Sequence, residues 1–276
     1  MHRAMSLHPG AQLLYETAVL MDKLGRPAAE KIALLEKDPQ LLRRDDLLTE
    51  LAKAYNQNGQ PGRALEILAA HTFVPCEGGE HAIADQYMFA HYLRGMERLA
   101  AGEPEKAAAC FTAALTLPEN LGAGIWNRCK YVPYRYRLAE CLELLGRGAE
   151  ATALYQEILE IQVDFFSNMH LRELPYYQAM AARKLDQEQR ACAILAPARR
   201  AWAAELERVD NGFFSTTPFF ISFTDDPAQL RRAQYLYLLA LAELFQGRDR
   251  RAGELFRESL ALNSDNLFCG YFAQAL

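Results

Sequence analysis

Residues 51–71 read LAKAYNQNGQPGRALEILAAH, and the reading of this stretch decides the fold. Two helical patterns flank Gly59, with small residues at Ala52 in the first and Ala64 in the second. Leu68 stands four positions after Ala64, one helical turn along the same face. A glycine ends a helix readily, because it enters the left-handed region without a Cβ penalty. Small residues let two helices approach closely, and a large one fills the groove between neighbours. The stretch predicts two antiparallel helices joined by a tight turn.

The same arrangement recurs along the chain. RGMERLAAGEPEKAAACFTAALTL (94–117), LAECLELLGRGAEATALYQEILEI (138–161) and LALAELFQGRDRRAGELFRESLAL (239–262) align on a turn glycine with an alanine five positions later. TAVLMDKLGRPAAEKIALLEKDP (17–39) fits with Glu30 in the alanine position. The small residues of the first helices are Ala18, Ala52, Gly95, Ala139 and Ala240, and the turn glycines are Gly25, Gly59, Gly102, Gly146 and Gly247. In the second helices Ala64, Ala107, Ala151 and Ala252 precede Leu68, Phe111, Tyr155 and Phe256. One supersecondary unit repeated in this way builds a stacked array, because each unit buries its apolar face only against the next.

Small, glycine, small and large positions recurring together resemble the tetratricopeptide repeat, and the first two turn glycines lie 34 residues apart (59 − 25). The resemblance implies an all-α, right-handed α-solenoid of stacked antiparallel helix pairs, about six in number, with long inter-repeat loops. A degenerate unit is expected over 176–199, with Asp186 at its turn and Pro197 bending its second helix. The chain reads as one array over 1–276 and as a fragment of a longer protein. Residues 1–9 form the tail of a preceding repeat helix, and 266–276 begin a truncated or capping helix. EGGE (77–80), PENLG (118–122) and the aromatic loop 212–223 further resemble the C-terminal repeat region of large bacterial proteins of unknown function. Those proteins carry an N-terminal, all-β region like that of carbohydrate enzymes. This resemblance implies a parent protein acting in carbohydrate metabolism, with any activity outside the present chain.

Composition narrows the classes. Half of the residues are apolar (51%) and the net charge is −5, so no basic field attracts nucleic acid or anionic lipid. No apolar run approaches the length of a membrane span, and MHRAMSLHPG has no apolar signal core. The six cysteines form no CxxC pair, and 110, 141 and 192 fall in helical patterns, which suggests buried thiols in a reducing compartment. A cytoplasmic protein is expected.

HTFVPCEGGEH (71–81) gathers His71, Cys76, Glu77, Glu80 and His81 around two glycines. A zinc site needs three or four converging ligands with a short-spaced Cys or His pair, and none is present. Glu77 and Glu80 as acid and base would need a second segment to hold a sugar between them. The favoured reading makes Gly78–Gly79 a turn and Glu80 a residue near the next helix start. No GxSxG, HExxH or phosphate loop occurs. In the repeat frame one first-helix position reads Tyr15, Thr49, Tyr92, Tyr136, Tyr176 and Tyr237. These rings either face a concave groove, as the resemblance implies, or pack against neighbouring units. Lys53, Asn56 and Arg183 are candidate groove contacts for a carboxylate, and Glu77, Glu80, His81, Asn120 and Trp126 are candidate loop contacts. The expected function is a non-catalytic scaffold whose groove holds a peptide or a neighbouring domain of its parent. The alternative is an accessory domain of a carbohydrate-active enzyme that lends loop 73–80 to a sugar site. No cofactor, metal, nucleic acid or membrane partner is expected.

Overall fold

The structure, a computed structural model, describes residues 10–40, 42–75, 80–124, 128–162, 171–208 and 226–276. Thirteen α-helices and no strand occur among the described residues. They are α1 (Ala11–Lys23), α2 (Ala28–Leu35), α3 (Asp45–Gln57), α4 (Pro61–Ala70), α5 (Glu80–Ala100), α6 (Pro104–Ala114), α7 (Val132–Leu144), α8 (Gly148–Glu160), α9 (Leu174–Lys184), α10 (Glu188–Leu206), α11 (Pro227–Phe245), α12 (Asp249–Leu262) and α13 (Leu267–Ala275). Short 3₁₀ turns stand at Glu119–Leu121 and Arg128–Tyr131. The chain is all-α and built from stacked antiparallel helix pairs. It divides into two compact units, Met1–Ile125 and Trp126–Leu276. In the first, α1/α2, α3/α4 and α5/α6 pair; in the second, α7/α8, α9/α10 and α11/α12 pair, with α13 against α12.

One turn closes all six pairs. Gly25, Gly59, Gly102, Gly146 and Gly247 have φ between 60° and 74°, and Asp186 has φ 57°. In each, the next residue's N–H reaches back to the carbonyl five before it: Arg26 to Met21, Gln60 to Tyr55, Glu103 to Arg98, Arg147 to Leu142, Gln187 to Ala182 and Arg248 to Glu243. These bonds, 2.8–3.0 Å long, satisfy carbonyls that a helix end leaves without partners. The degenerate unit keeps the turn with aspartate, whose short polar side chain tolerates this conformation better than most. It also keeps the packing, since Ala191 and Leu195, five and nine residues after Asp186, are buried. Pro197 lies within α10.

The small and large positions meet as their spacing demands. Ala18, Ala52, Ala139 and Ala240 are fully buried, as are Ala64, Ala107 and Ala252. At Gly95 even one methyl would be too much, because a Cβ there would lie 2.5 Å from the Phe111 ring. Burying a residue such as Phe111 or Phe256 contributes about 1.5–3 kcal/mol each.

Three sequence expectations are corrected. The tyrosine row does not line a groove: Tyr92, Tyr136, Tyr176 and Tyr237 are buried, and only Tyr15 is half-exposed. Tyr92 meets Phe111, Tyr136 meets Tyr155, and Tyr237 meets Phe256, with ring centroids 5.6–6.0 Å apart. Each ring thus packs on the large residue of its own pair's second helix. In the first pair the alanine position is not held by Glu30, which is exposed, but by Lys31, which is buried. Cys192 is exposed on α10, whereas Cys141 is buried and Cys110 half-buried.

Candidate functional site

A polar constellation in the first unit surrounds the stem of the loop that begins at His71. The α3 N-terminus presents Asp45 there, and the Asp45 carboxylate holds two groups at once. Its Oδ1 lies 2.7 Å from His71 Nε2, and its Oδ2 accepts the Val74 N–H at 2.8 Å. A carboxylate at a helix start is also favoured by the positive end of the helix dipole. From the opposite side, Asn120 donates its side-chain amide to the Leu68 and His71 carbonyls at 2.8 and 2.7 Å, while its own carbonyl accepts the Phe73 N–H at 2.7 Å. Phe73 and Leu121 are buried, and the His71 and Phe73 rings meet edge to face at 4.7 Å. Gly122 has φ 58°, and a Cβ there would lie 2.5 Å from the Phe73 carbonyl oxygen. Segments 71–75 and 117–124 are clasped to each other and to the start of α3.

Asn120 is therefore placed as a fastener of the loop stems. Glu77 and Trp126 lie outside the described residues, as does the aromatic loop 212–223. Glu80 and His81 fall in the first turn of α5, where the spacing puts the helix start, and their side chains are outside the description. Among the described residues no group of three or more His, Cys, Asp or Glu side chains is arranged to hold a metal ion. No helix among them is long and apolar enough to cross a membrane.

Lys53 and Asn56, on the same helix face, are engaged by the protein itself. Lys53 Nζ lies 2.8 Å from Asp22 Oδ2. Asp22 also takes the buried Lys31 at 2.7 Å, and Lys31 reaches Glu50 at 3.1 Å. Burial acts to raise the Asp22 pKa, but Lys53 and Lys31 outweigh it and hold the carboxyl below the usual carboxylate range. Asn56 is buried and donates to the backbone and side-chain oxygens of Gln86 at 3.0 and 3.1 Å. The corner that sequence assigns to a carboxylate thus already contains one.

Arg183 sits at the end of α9, and its guanidinium lies 3.5 Å from the centroid of the Phe245 ring. It donates to the Phe245 carbonyl at 2.7 Å and forks onto Glu188 at 2.9 Å on both branches. Close by in the sequence, Glu243 is buried and pairs with Arg199 at 3.0 Å and with Arg248. Hydrogen bonding from Arg248, despite burial and aided by Arg199, lowers the Glu243 pKa. Asp45, Gln86, Arg199 and Glu243 were not singled out by sequence. Their charge pattern is ordinary, and only the packing of separate helices assembles it. The described constellations consist of paired ions and of amides that hold backbone and side-chain oxygens, with the buried Asn56 Oδ1 left without a partner.

No protein-family model matches the chain. Among solved structures, it is similar to a crystal structure from Podosopora anserina described as a kinesin light chain with nearly identical TPR-like repeats. The two share 20% identity with a TM-score of 0.35, over 82% of this chain and 96% of that one.

Proposed function

We propose that the chain is a non-catalytic binding module that holds a protein or peptide segment on surfaces made by the first helices of its pairs. The observation that carries this reading is the stacking. In one unit α1 lies beside α3 and α3 beside α5; in the other α7 lies beside α9 and α9 beside α11. Side-by-side first helices offer an extended surface at no cost in ordering, which suits capture of a partner segment. Of the sequence candidates, Tyr15 and Arg183 remain partly accessible on these helices; Lys53, Asn56 and the buried tyrosines drop out. The partner is either a separate protein or the N-terminal region of a longer parent. A cytoplasmic setting belongs to the same proposal, since among the described residues Cys110, Cys192 and Cys269 are free thiols. Photo-cross-linkers placed at positions 15 and 183 in the producing cell should capture one discrete partner. The outward positions 105 and 157 on second helices should not. Equal capture from both sets would sink the proposal.

The sugar-site alternative draws support from the clasp, which fixes the stem from which loop 73–80 departs. Calorimetric titration with oligosaccharides, native chain against Glu77→Gln/Glu80→Gln, tests it. No heat from the native chain removes it.

A further inference from the structure

The turn of the first pair carries the same local signal as two others but is resolved differently. GRP at 25–27 parallels GQP at 59–61 and GEP at 102–104. In the latter two, proline is the first helical residue, as its missing N–H favours. In the first pair Pro27 stays outside and α2 begins at Ala28, one residue later. The consequence is a rotation of about 100° per residue, taking one residue as a 3.6th of a turn. Lys31 N–H bonds to the Pro27 carbonyl as Ala64 N–H does to Gln60, so Lys31 and Leu35 occupy the places of Ala64 and Leu68. Both Lys31 and Leu35 are buried.

Apolar pattern favours the observed setting, which buries Ile32 with Leu35. In the ordinary one Glu30 and Leu34 would turn inward and Ile32 would move outward; in the observed one Lys31 and Leu35 do. Charge discriminates in the same direction. Asp22 from α1 and Glu50 from α3 face the occupied position, with Lys53 on the far side of Asp22. Lys31 inside makes a neutral set of two cations and two anions. Glu30 inside would leave three carboxylates against Lys53 alone, in a site where an unbalanced charge is costly. The Arg26–Glu30 pair seen outside is solvent-exposed and decides little.

We infer that the partly buried set Asp22, Lys31, Glu50 and Lys53 helps select the register in which the first helix pair docks on the second. Charge acts with the burial of Ile32 to override the local turn signal, and the pair holds a second setting in reserve. A register-fixing role is the best-attested use of buried polar groups.

The test is performed on the full chain by lysine acylation with acetic anhydride, read by mass spectrometry, together with amide exchange over α2. In the native protein Lys31 should resist acylation while the exposed Lys37 reacts. In Asp22→Asn/Glu50→Gln, the inference expects Lys31 to react at the Lys37 rate while α2 amides stay protected. Continued protection of Lys31 overturns it. Acylation with loss of α2 protection also overturns it, because the charges would then only stabilise the pair. Glu30→Ala, a surface change that leaves all four charges in place, supplies a second reading. It makes the ordinary setting resemble Ala64 and should raise Lys31 labelling with α2 still protected. Labelling identical to the native chain would count against the inference.

Discussion

Asp186 is the residue where a repeat rule is bent without being broken. Five of the six turns use glycine at positive φ, and a side chain added at Gly25, Gly59, Gly102, Gly146 or Gly247 would meet nothing within 4 Å. Steric room is therefore not what these turns require; backbone conformation is. An L-residue there costs about 1–2 kcal/mol, less for aspartate, and glycine offsets part of this by its larger unfolded-state entropy. Asp186→Gly should raise stability of the second unit by about 0.5–1 kcal/mol, and Gly59→Ala should lower that of the first by about 1 kcal/mol. Urea unfolding followed by circular dichroism measures both. A destabilised Asp186→Gly would mean the aspartate side chain contributes more than its strain. The buried tyrosines teach a related lesson about reading positions. Tyr92, Tyr136, Tyr176 and Tyr237 each stand three residues before a small residue, namely Gly95, Ala139, Ala179 and Ala240. Positions i and i+3 share a helix face, so the sequence itself places these rings in the seam of the hairpin.

Among the elements, helix pairs were legible and loop stems were not. The pairs follow from a pattern local in sequence: small residue, left-handed turn, small residue, large residue. The clasp depends on residues far apart, with Asn120 reaching carbonyls 49 and 52 positions earlier. No periodicity announces such a bond. Nor could the turn pattern foresee that α2 starts one residue late, because the charges that act with Ile32 come from α1 and α3. The Asn120 side chain supplies two bonds at the start of segment 71–75, to the Leu68 and His71 carbonyls, at about 1 kcal/mol net each. Asn120→Ala should then cost the first unit about 1–2 kcal/mol, with faster amide exchange at Phe73 and Val74 and unchanged exchange in α9 and α11. Asn120→Asp should behave alike, since a carboxylate cannot donate to the Leu68 and His71 carbonyls. Retained protection of Phe73 and Val74 in both variants would show that Asp45 and the burial of Phe73 hold the stem unaided.

At the scale of the whole molecule, the two units respond to acid with different balances. Asp22 in the first unit has a lowered pKa, so its contribution is present above the ordinary carboxylate range. That contribution is lost as pH falls through the folded-state value. Glu243 in the second unit behaves in the same sense. Glu173, at the start of α9, does the reverse: burial raises its pKa, so protonation favours the folded form and its contribution is lost as pH rises through the folded value. In the second unit these opposed slopes partly cancel, while Asp22 has no such counterweight among the shifted groups of the first. The exposed carboxylates Glu103, Glu150, Glu188 and Glu254 also have lowered pKa values through their arginine or lysine partners. Solvent screening leaves them little weight. Amide exchange compared at pH 7 and about pH 3, below the ordinary carboxylate range and corrected for intrinsic rates, should therefore show α1–α3 losing protection before α9–α11. Asp22→Asn should lower protection of α1–α3 at pH 7 and remove the Asp22 share of the acid loss, leaving that of His91 on α5, whose pKa burial lowers to about 4. Equal or greater loss in α9–α11 would mean that Glu243 and its two arginines, not the buried lysine network, govern how this protein yields to acid.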